Sequence, residues 1–258
     1  MSPKNQNLSV FYATITAALV LISSTVFAGE LQHSYDVKAG GYLNLETDVG
    51  KLVIETHNKD SVDIDIEVSG SRADELEIHH SSDGQNVDIT GEFERGGYGW
   101  NNMKVSFTIT VPEEYNLDLR TAGGSIKIDD LIGEVQARTS GGSIKIKDIK
   151  GDVDLHTSGG SIKTGTVEGD LNAHTSGGSI QASFAQQLTQ DAVLDTSGGS
   201  ITVRMIEDMK VDLDASTSGG RVRSDFEVDG RVKKKSIRGE VNGGGPRLKL
   251  HTSGPMVE

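Results

Sequence analysis

The sequence predicts an all-β protein whose short strands wind into a parallel β-solenoid, and a repeated motif is the first observation behind this prediction. Thr-Ala-Gly-Gly-Ser-Ile at residues 121–126 is followed by copies of Thr-Ser-Gly-Gly that begin at Thr139, Thr157, Thr175, Thr196 and Thr217. The glycine pairs recur after 18, 18, 18, 21 and 21 residues. Because a fixed period of about 20 residues is typical of stacked repeats, we expect coils of 18–21 residues that lie on one another.

The second observation is that apolar and polar residues alternate on both sides of each turn. Three apolar columns recur: Leu117, Val135, Val153, Leu171, Ala192 and Leu213; then Leu119, Ala137, Leu155, Ala173, Leu194 and Ala215; and, after the turn, Ile126, Ile144, Ile162, Ile180, Ile201 and Val222. A period of two is typical of strands with one buried face. Stacked coils place equal positions about 4.8 Å apart, so the isoleucines should form an internal ladder. These columns argue against the alternative of a glycine-rich, low-complexity linker.

The third observation is the glycine pair itself. The pairs are Gly123–Gly124, Gly141–Gly142, Gly159–Gly160, Gly177–Gly178, Gly198–Gly199 and Gly219–Gly220. They predict a corner that needs either positive φ or a close approach of two backbones, where a Cβ would collide with the next coil. The hydroxyls of the neighbouring Thr and Ser residues are expected to cap the amides of the turn.

The chain begins with a segment that is typical of a secretory signal peptide. Residues 8–28 carry no charge, Lys4 precedes them, and Val26-Phe27-Ala28 ends in a small residue. We expect residues 1–28 to be a signal peptide that is cleaved before Gly29. The alternative is an uncleaved membrane anchor. The sequence therefore predicts export to the periplasm, the cell surface or the medium, with no stable membrane insertion of the mature chain.

Residues 29–116 are predicted to form a more irregular, β-rich N-terminal part of the solenoid. The stretch from Leu43 to Ile54 has the pattern of a degenerate first repeat. Alternating residues predict strands over 62–68 and 103–111 and a shorter strand over 87–89, with a helical turn at 73–77.

Residues 117–258 are predicted to form the regular repeats and a C-terminal cap. The period breaks after Gly220, and a basic run follows at Arg231, Lys233, Lys234 and Lys235. The stretch from Leu248 to Pro255 repeats the strand before the turn, with Pro255 where the second glycine belongs. Terminal repeats of a stack are expected to be atypical, so we expect this segment to cap the end.

Composition limits the functions that the chain can have. It has 258 residues, 32 glycines, no cysteine and a formal charge of −13. The acidity argues against nucleic-acid binding, which needs a basic surface. Without cysteine there is no disulfide, no thiol nucleophile and no cysteine-based metal site.

The repeats also resemble a known family. The Thr-Ser-Gly-Gly-x-Ile copies, the Val111–Pro112 entry and the Asn-Gly-Gly-Gly-Pro ending at 242–246 together resemble the bacterial putative adhesins, β-strand-repeat domains of unknown function. The resemblance covers nearly all of residues 35–258. It implies an exported, right-handed solenoid of the single-stranded β-helix type, and it brings no catalytic residue and no cofactor.

Two groups of residues are candidate ligand contacts. Phe93, Tyr98 and Trp100 are aromatics in a glycine-rich segment, where they suit sugar stacking or fold over a strand edge. Before each turn threonine comes a column on the outer face: Arg120, Arg138, His156, His174, Asp195 and Ser216. Stacked cations attract anions, and two neighbouring histidines suit a metal, but no third ligand is apparent. The alternative is that these are repeated, solvated side chains.

An acidic column at the opposite turn comprises Glu134, Asp152, Asp170, Asp191 and Asp212. Carboxylates bind Ca²⁺, but the calcium β-roll motif Gly-Gly-x-Gly-x-Asp is absent, so we expect a solvated edge and no metal site. Catalysis needs a local, non-repeating acid and base at a defined separation. A repeated column offers no such unique site, so we expect no enzymatic activity.

These observations predict a non-enzymatic, exported interaction module that binds a polysaccharide, another envelope component or a protein through its repetitive surface. Two alternatives stay open. One is a polysaccharide-active enzyme on the same fold, and the other is a structural protein that assembles end to end.

Overall fold

The computed structural model of the chain describes residues 20–24, 29–70, 73–93 and 103–258. The strands of the N-terminal part are β1 (Val20–Ser24), β2 (Gly29–Asp36), β3 (Gly41–Thr47), β4 (Lys51–His57), β5 (Ser61–Gly70), β6 (Leu76–Ser82), β7 (Val87–Phe93) and β8 (Met103–Pro112). A 3-10 helix, η1 (Ala73–Glu75), precedes β6. The strands that the alternation predicts over 62–68, 87–89 and 103–111 are therefore confirmed, and η1 lies within the expected helical turn.

The repeats form shorter strands. They are β9 (Tyr115–Thr121), β10 (Ile126–Ile128), β11 (Leu131–Ile132), β12 (Val135–Thr139), β13 (Ile144–Ile146), β14 (Ile149–Lys150), β15 (Val153–Thr157), β16 (Ile162–Lys163), β17 (Leu171–Thr175), β18 (Ile180–Phe184), β19 (Ala192–Thr196) and β20 (Ile201–Met205). The last part contains β21 (Val211–Thr217), β22 (Arg221–Val222), β23 (Asp229–Lys233), β24 (Ser236–Val241), β25 (Arg247–Thr252) and β26 (Met256–Val257).

Two long sheets face each other across one core. The 13-stranded sheet has the order β1-β6-β7-β3-β9-β12-β15-β17-β19-β25-β21-β24-β23, and the 11-stranded sheet has the order β2-β5-β8-β4-β10-β13-β16-β18-β20-β26-β22. A third, short sheet pairs β11 with β14. Each coil gives one strand to each long sheet, with the Thr-Ser-Gly-Gly corner between them.

The repeats from Leu117 to Met205 stack in sequence order and in register. Ile126 pairs with Ile144 and Ile144 with Ile162, in parallel, and each of these side chains is at most 1% exposed. The internal isoleucine ladder is therefore confirmed, and with it the parallel β-solenoid.

At the N-terminal end, a coil from early in the chain is enclosed by later segments. The β3–β4 coil pairs with β9–β10 on one side and with β7–β8 on the other, always in parallel. Leu43 pairs with Leu117 and Leu52 with Ile126, so the degenerate first repeat is confirmed. Beyond β7 and β8 the pairing becomes antiparallel. Strands β6 and β5 come next, and the sheets end in β1 and β2.

At the C-terminal end, the segment after Gly220 is divided between the interior and the end of the stack. Strand β25 lies between β19 and β21, and β26 lies between β20 and β22. The repeat at Thr217 therefore stacks on Thr252 instead of Thr196. The physical reason is that residues 248–252 carry the full apolar and threonine pattern of a coil strand, so they fit an internal position. The β23–β24 hairpin, which holds part of the basic run, forms the end of the 13-stranded sheet.

The corners are held by a close backbone approach and a threonine column. A Cβ added to Gly142 would overlap the carbonyl oxygen of Gly124, whereas one added to Gly141 would lie 3.7 Å from its nearest neighbour. Neither glycine has a left-handed φ, so close approach is the constraint. The hydroxyl of Thr157 donates to the carbonyl of Gly142 at 2.7 Å and accepts from the amide of Gly160 at 3.3 Å.

The same threonine bond runs through nearly the whole stack. The hydroxyl donates to a glycine carbonyl of the preceding coil at Thr47, Thr121, Thr139, Thr157, Thr175, Thr196, Thr252 and Thr217. All of these threonines are buried. The expected capping of turn amides by hydroxyls is therefore confirmed, and the hydroxyls also link one coil to the next.

Candidate functional site

The outer column lies on the solvent side of the 13-stranded sheet, where strand pairing brings the predicted residues together. Arg120 pairs with Arg138, Arg138 with His156, and His156 with His174. Next to His174 comes Asp195. The inserted strand β25 adds His251 between Asp195 and Ser216. The sequence missed this member because His251 is 35 residues from its partner Ser216.

Carboxylates from the same face neutralise the two arginines. Arg120 Nη2 lies 2.6 Å from Asp118 Oδ2, and Arg138 Nη2 lies 3.0 Å from Asp154 Oδ1. The arginine rungs therefore carry little net charge. A ligand that binds here must offer a donor to the carboxylates as well as an acceptor to the guanidinium groups.

The two histidines of the column stack on each other. Their ring centroids are 5.0 Å apart with an interplanar angle of 11°, and His174 Nδ1 lies 3.2 Å from Asp195 Oδ1. Partial burial, His174 and Arg138 together lower the pKa of His156. The two rings therefore cover one face of each other, and their environment favours the neutral form of His156. Among the described residues there is no group of three His, Asp or Glu side chains that could hold a metal ion.

Of the three aromatic candidates, Phe93 lies in the part of the chain that the structure describes. Phe93 is half-buried against the core, and its amide donates to Asp48 Oδ2 at 3.2 Å. Tyr98 and Trp100 lie in residues 94–102, outside the described residues. Their role in ligand contact stays a prediction.

The acidic column at the opposite turn has a structural use. Asp152 Oδ1 accepts from the amide of Asp170 at 2.9 Å, and Asp191 Oδ1 accepts from the amide of Arg247 at 2.8 Å. These carboxylates satisfy backbone donors of the next coil.

Three lysines form a row on the outer face of the 11-stranded sheet, and the repeat pattern alone did not mark them as a site. Lys127, Lys145 and Lys163 pair in register on β10, β13 and β16. Lys127 lies 3.4 Å from Asp129 Oδ1, whereas neither Lys145 nor Lys163 has a carboxylate within 4.0 Å in the described part of the chain. The signal was present in the sequence as a lysine after each isoleucine of three successive repeats.

The N-terminal end of the same face is acidic. We call its carboxylates the acidic half; they are Glu30, Glu55, Asp63, Asp65 and Glu67. A groove here is lined by Glu55, Asp63, Asp65, Thr108 and Thr110. Asp65 Oδ1 is buried and accepts no hydrogen bond from any described residue.

The stacked coils and their repeated polar faces define a parallel β-solenoid, and the family follows from the sequence. Residues 42–164 and again residues 132–253 match the Toastrack DUF4097 family. Together the matches cover most of the chain, which therefore belongs to the Toastrack family, a domain family of unknown function. The predicted family resemblance is confirmed.

Two solved structures are similar to this chain. One is a putative cell adhesion protein from Clostridium sporogenes, with 14% identity and a TM-score of 0.43, covering 88% of this chain and 98% of the other. The second is a putative adhesin from Bacteroides fragilis, with 14% identity and a TM-score of 0.36, covering 88% of this chain and 95% of the other. No curated protein matches the chain. In the described residues, no helix has the length and apolar character to cross a membrane.

Proposed function

We propose that this chain is a non-enzymatic, exported interaction module of the cell envelope, an adhesin-like protein that binds an envelope polysaccharide or protein. One observation carries the proposal: the outer column presents two arginines and then two histidines on four successive strands, in register. A ligand with repeating groups then meets evenly spaced polar contacts, and many weak contacts together give useful avidity.

The column suits a sugar ligand. A shallow groove beside the turn is lined by Glu46, Glu92, Arg120, Arg138 and His156, and the stacked histidine rings adjoin it. Paired carboxylates and guanidinium groups satisfy hydroxyl donors and acceptors, and the imidazole nitrogens add a further donor and acceptor.

A glycan array tests the proposal with the chain purified after export. We expect retained binding to envelope polysaccharide, and binding lost in the variant His156→Ala/His174→Ala. The matched control is Lys233→Ala/Lys234→Ala in the exposed β23–β24 hairpin, which should bind normally. Release of reducing ends or unsaturated products from the bound glycan would favour the polysaccharide-active enzyme instead.

We propose that residues 1–28 are a signal peptide, that residues 29–116 form the irregular N-terminal part and that residues 117–258 form the regular repeats and a C-terminal cap. In the full chain β1 pairs with β6, so cleavage would leave β6 as the edge strand. N-terminal sequencing of the chain from fractionated cells tests this proposal. A start at Gly29 in an extracytoplasmic fraction supports export, and residues 1–28 intact in the membrane would contradict it.

A further inference from the structure

The outer face of the 11-stranded sheet carries negative charge on its N-terminal strands and positive charge on the strands of the repeats. The acidic half lies on β2, β5 and β4, and the lysine row lies on β10, β13 and β16. Lys147 adds a further positive charge on the basic side, where it shares Asp129 with Lys127 at 3.2 Å and 3.4 Å. The acidic half and the lysine row therefore lie on the same face, and no described strand covers that face.

Strand register aligns these charges in rows across the face. The first row contains Gln32, Asp65, Thr108, Val53, Lys127, Lys145 and Lys163. A second row contains Asp63, Thr110, Glu55, Asp129 and Lys147. In each row the acidic end lies towards β5 and the basic end towards β13.

We propose that two copies of this chain associate face to face through this surface, related by a two-fold axis that runs along β4. Strand β5 is two strands before β4 in the sheet, and β13 is two strands after it. Rotation about β4 therefore places β5 of one copy opposite β13 of the other, and the position along the strand is preserved. Asp65 then faces Lys145 of the second copy, and Asp63 faces its Lys147.

A two-fold interface is self-complementary, so each contact away from the axis occurs twice. On the axis, Glu55 of β4 faces Glu55 of the second copy, and the two Asp65–Lys145 and two Asp63–Lys147 contacts oppose this single repulsion. The carboxylate groove at Asp63 and Asp65 receives the lysine side chains of the other copy. The proposal thus rests on the unpaired Lys145 and on the charge order of the face.

A second copy fits this face better than a linear polyanion does. A polyanion that follows the lysine row along the stack meets Asp65 and Glu67 within a few strands, and like charges repel it there. From β2 to β16 the face spans seven strands, or about 29 Å at about 4.8 Å per step. Because the strands of the basic side are also short, the area that two such faces bury is at the small end for specific interfaces. We therefore expect a weak dimer that salt dissociates.

Sedimentation equilibrium over a range of protein and salt concentrations tests the proposal with the purified exported chain. We expect a dimer at low salt that dissociates as NaCl is raised. The variant Asp63→Lys/Asp65→Lys and the variant Lys145→Asp/Lys147→Asp should each raise the dimer Kd by roughly 100-fold, because like charges then face each other. Mixed in equal amounts, the two variants should form a heterodimer, since each supplies the charge that the other lacks.

The matched control is Lys233→Asp/Lys234→Asp, which makes the same charge change in the β23–β24 hairpin and should dimerise as the parent does. Circular dichroism checks that each variant is folded, and a folded heterodimer excludes misfolding as the cause of dissociation. A parent chain that is monomeric at every concentration would overturn the proposal. Dimers that persist in both charge variants would also overturn it. The same holds if Lys145→Asp/Lys147→Asp loses binding to heparin, a linear polyanion, but sediments as the parent chain does.

Discussion

At the scale of single residues, the threonine before each corner links the coils. Its backbone is the last residue of a strand and its side chain is buried, while its hydroxyl donates to the carbonyl of a glycine in the preceding coil. Close approach at the second glycine brings that carbonyl within reach, because a Cβ there would overlap the neighbouring backbone. Threonine and glycine therefore act together, which explains why the motif repeats both.

We predict that Thr157→Val lowers the free energy of unfolding by about 1–2 kcal/mol. Valine has nearly the same side-chain shape as threonine, but the carbonyl of Gly142 and the amide of Gly160 lose their hydrogen bonds to the hydroxyl. Urea unfolding followed by circular dichroism measures the change.

Thr164→Val is the matched control for this prediction. Thr164 is 2% exposed, and its hydroxyl has no hydrogen-bond partner among the described residues, so its removal should be neutral or stabilising. Equal losses at both positions would show that the hydroxyl bond contributes nothing to stability.

A buried histidine makes the N-terminal end of the stack sensitive to pH. His80 is 4% exposed, and its Nδ1 lies 2.7 Å from the hydroxyl of Tyr35. Burial, His33 and His79 lower its pKa below the ordinary 6.5. The unfolded chain therefore binds a proton at pH values where the folded chain does not, so the stabilisation present above pH 6.5 is lost as the pH falls below it.

We predict that the melting temperature of the chain falls between about pH 7 and pH 5, and that His80→Gln reduces this fall. Glutamine stays uncharged and still offers an acceptor to Tyr35. His79→Gln removes only the smallest of the three causes of the lowered pKa of His80, so it should reduce the fall less than His80→Gln does. Parallel pH profiles for the parent chain and His80→Gln would contradict the assignment.

At the scale of strands, the sequence predicts which segments form coils better than it predicts their order. The columns from Leu117 to Ile201 stack as their spacing indicates. The strand pattern also identifies Leu248–Thr252 and Leu43–Thr47 as coil strands. It does not reveal that β25 separates β19 from β21, because a strand with the common pattern fits any position in the stack.

The same reasoning explains what could be predicted of the candidate site. Arg120, Arg138, His156 and His174 form a column because the spacing alone aligns them. The Arg138–Asp154 pair, the place of His251 and the opposition of acidic and basic rows depend on how strands from distant segments pair. Only the structure supplies those pairings.

We predict that Leu250→Asp loosens the last coils without melting the others. Leu250 is 4% exposed in β25, between β19 and β21, and an unpaired buried carboxylate costs more than about 3 kcal/mol. Hydrogen exchange should become faster in β21 and β24 and stay slow in β12 and β15. The control Lys249→Gln changes an outward-facing neighbour and should leave exchange unaltered. Equally fast exchange throughout the stack would contradict a local effect.

At the scale of the whole molecule, both ends of the stack enclose a coil formed elsewhere in the chain. The β3–β4 coil lies inside β7–β8, and the β25–β26 coil lies inside β21–β22. Between them the coils contact only their neighbours, as in other repeat proteins. The middle of the stack should therefore accept a change in coil number, provided that the register is kept.

We predict that deletion of residues 139–174, two coils of 18 residues, gives a shorter but folded solenoid. Arg138 is then joined to Thr175, so the corner motif is restored, β12 pairs with β19, and Leu194 meets Ala137 in the core. Deletion of residues 139–173 is the control. It leaves His174 as one extra residue, and a shift of one residue turns every following side chain to the opposite face of its strand. Far-UV circular dichroism and cooperative thermal unfolding should show a β-protein for the first deletion and an unfolded chain for the second. If both deletions fold equally well, the coils are not held by register, and the stacking of identical positions is not what specifies this fold.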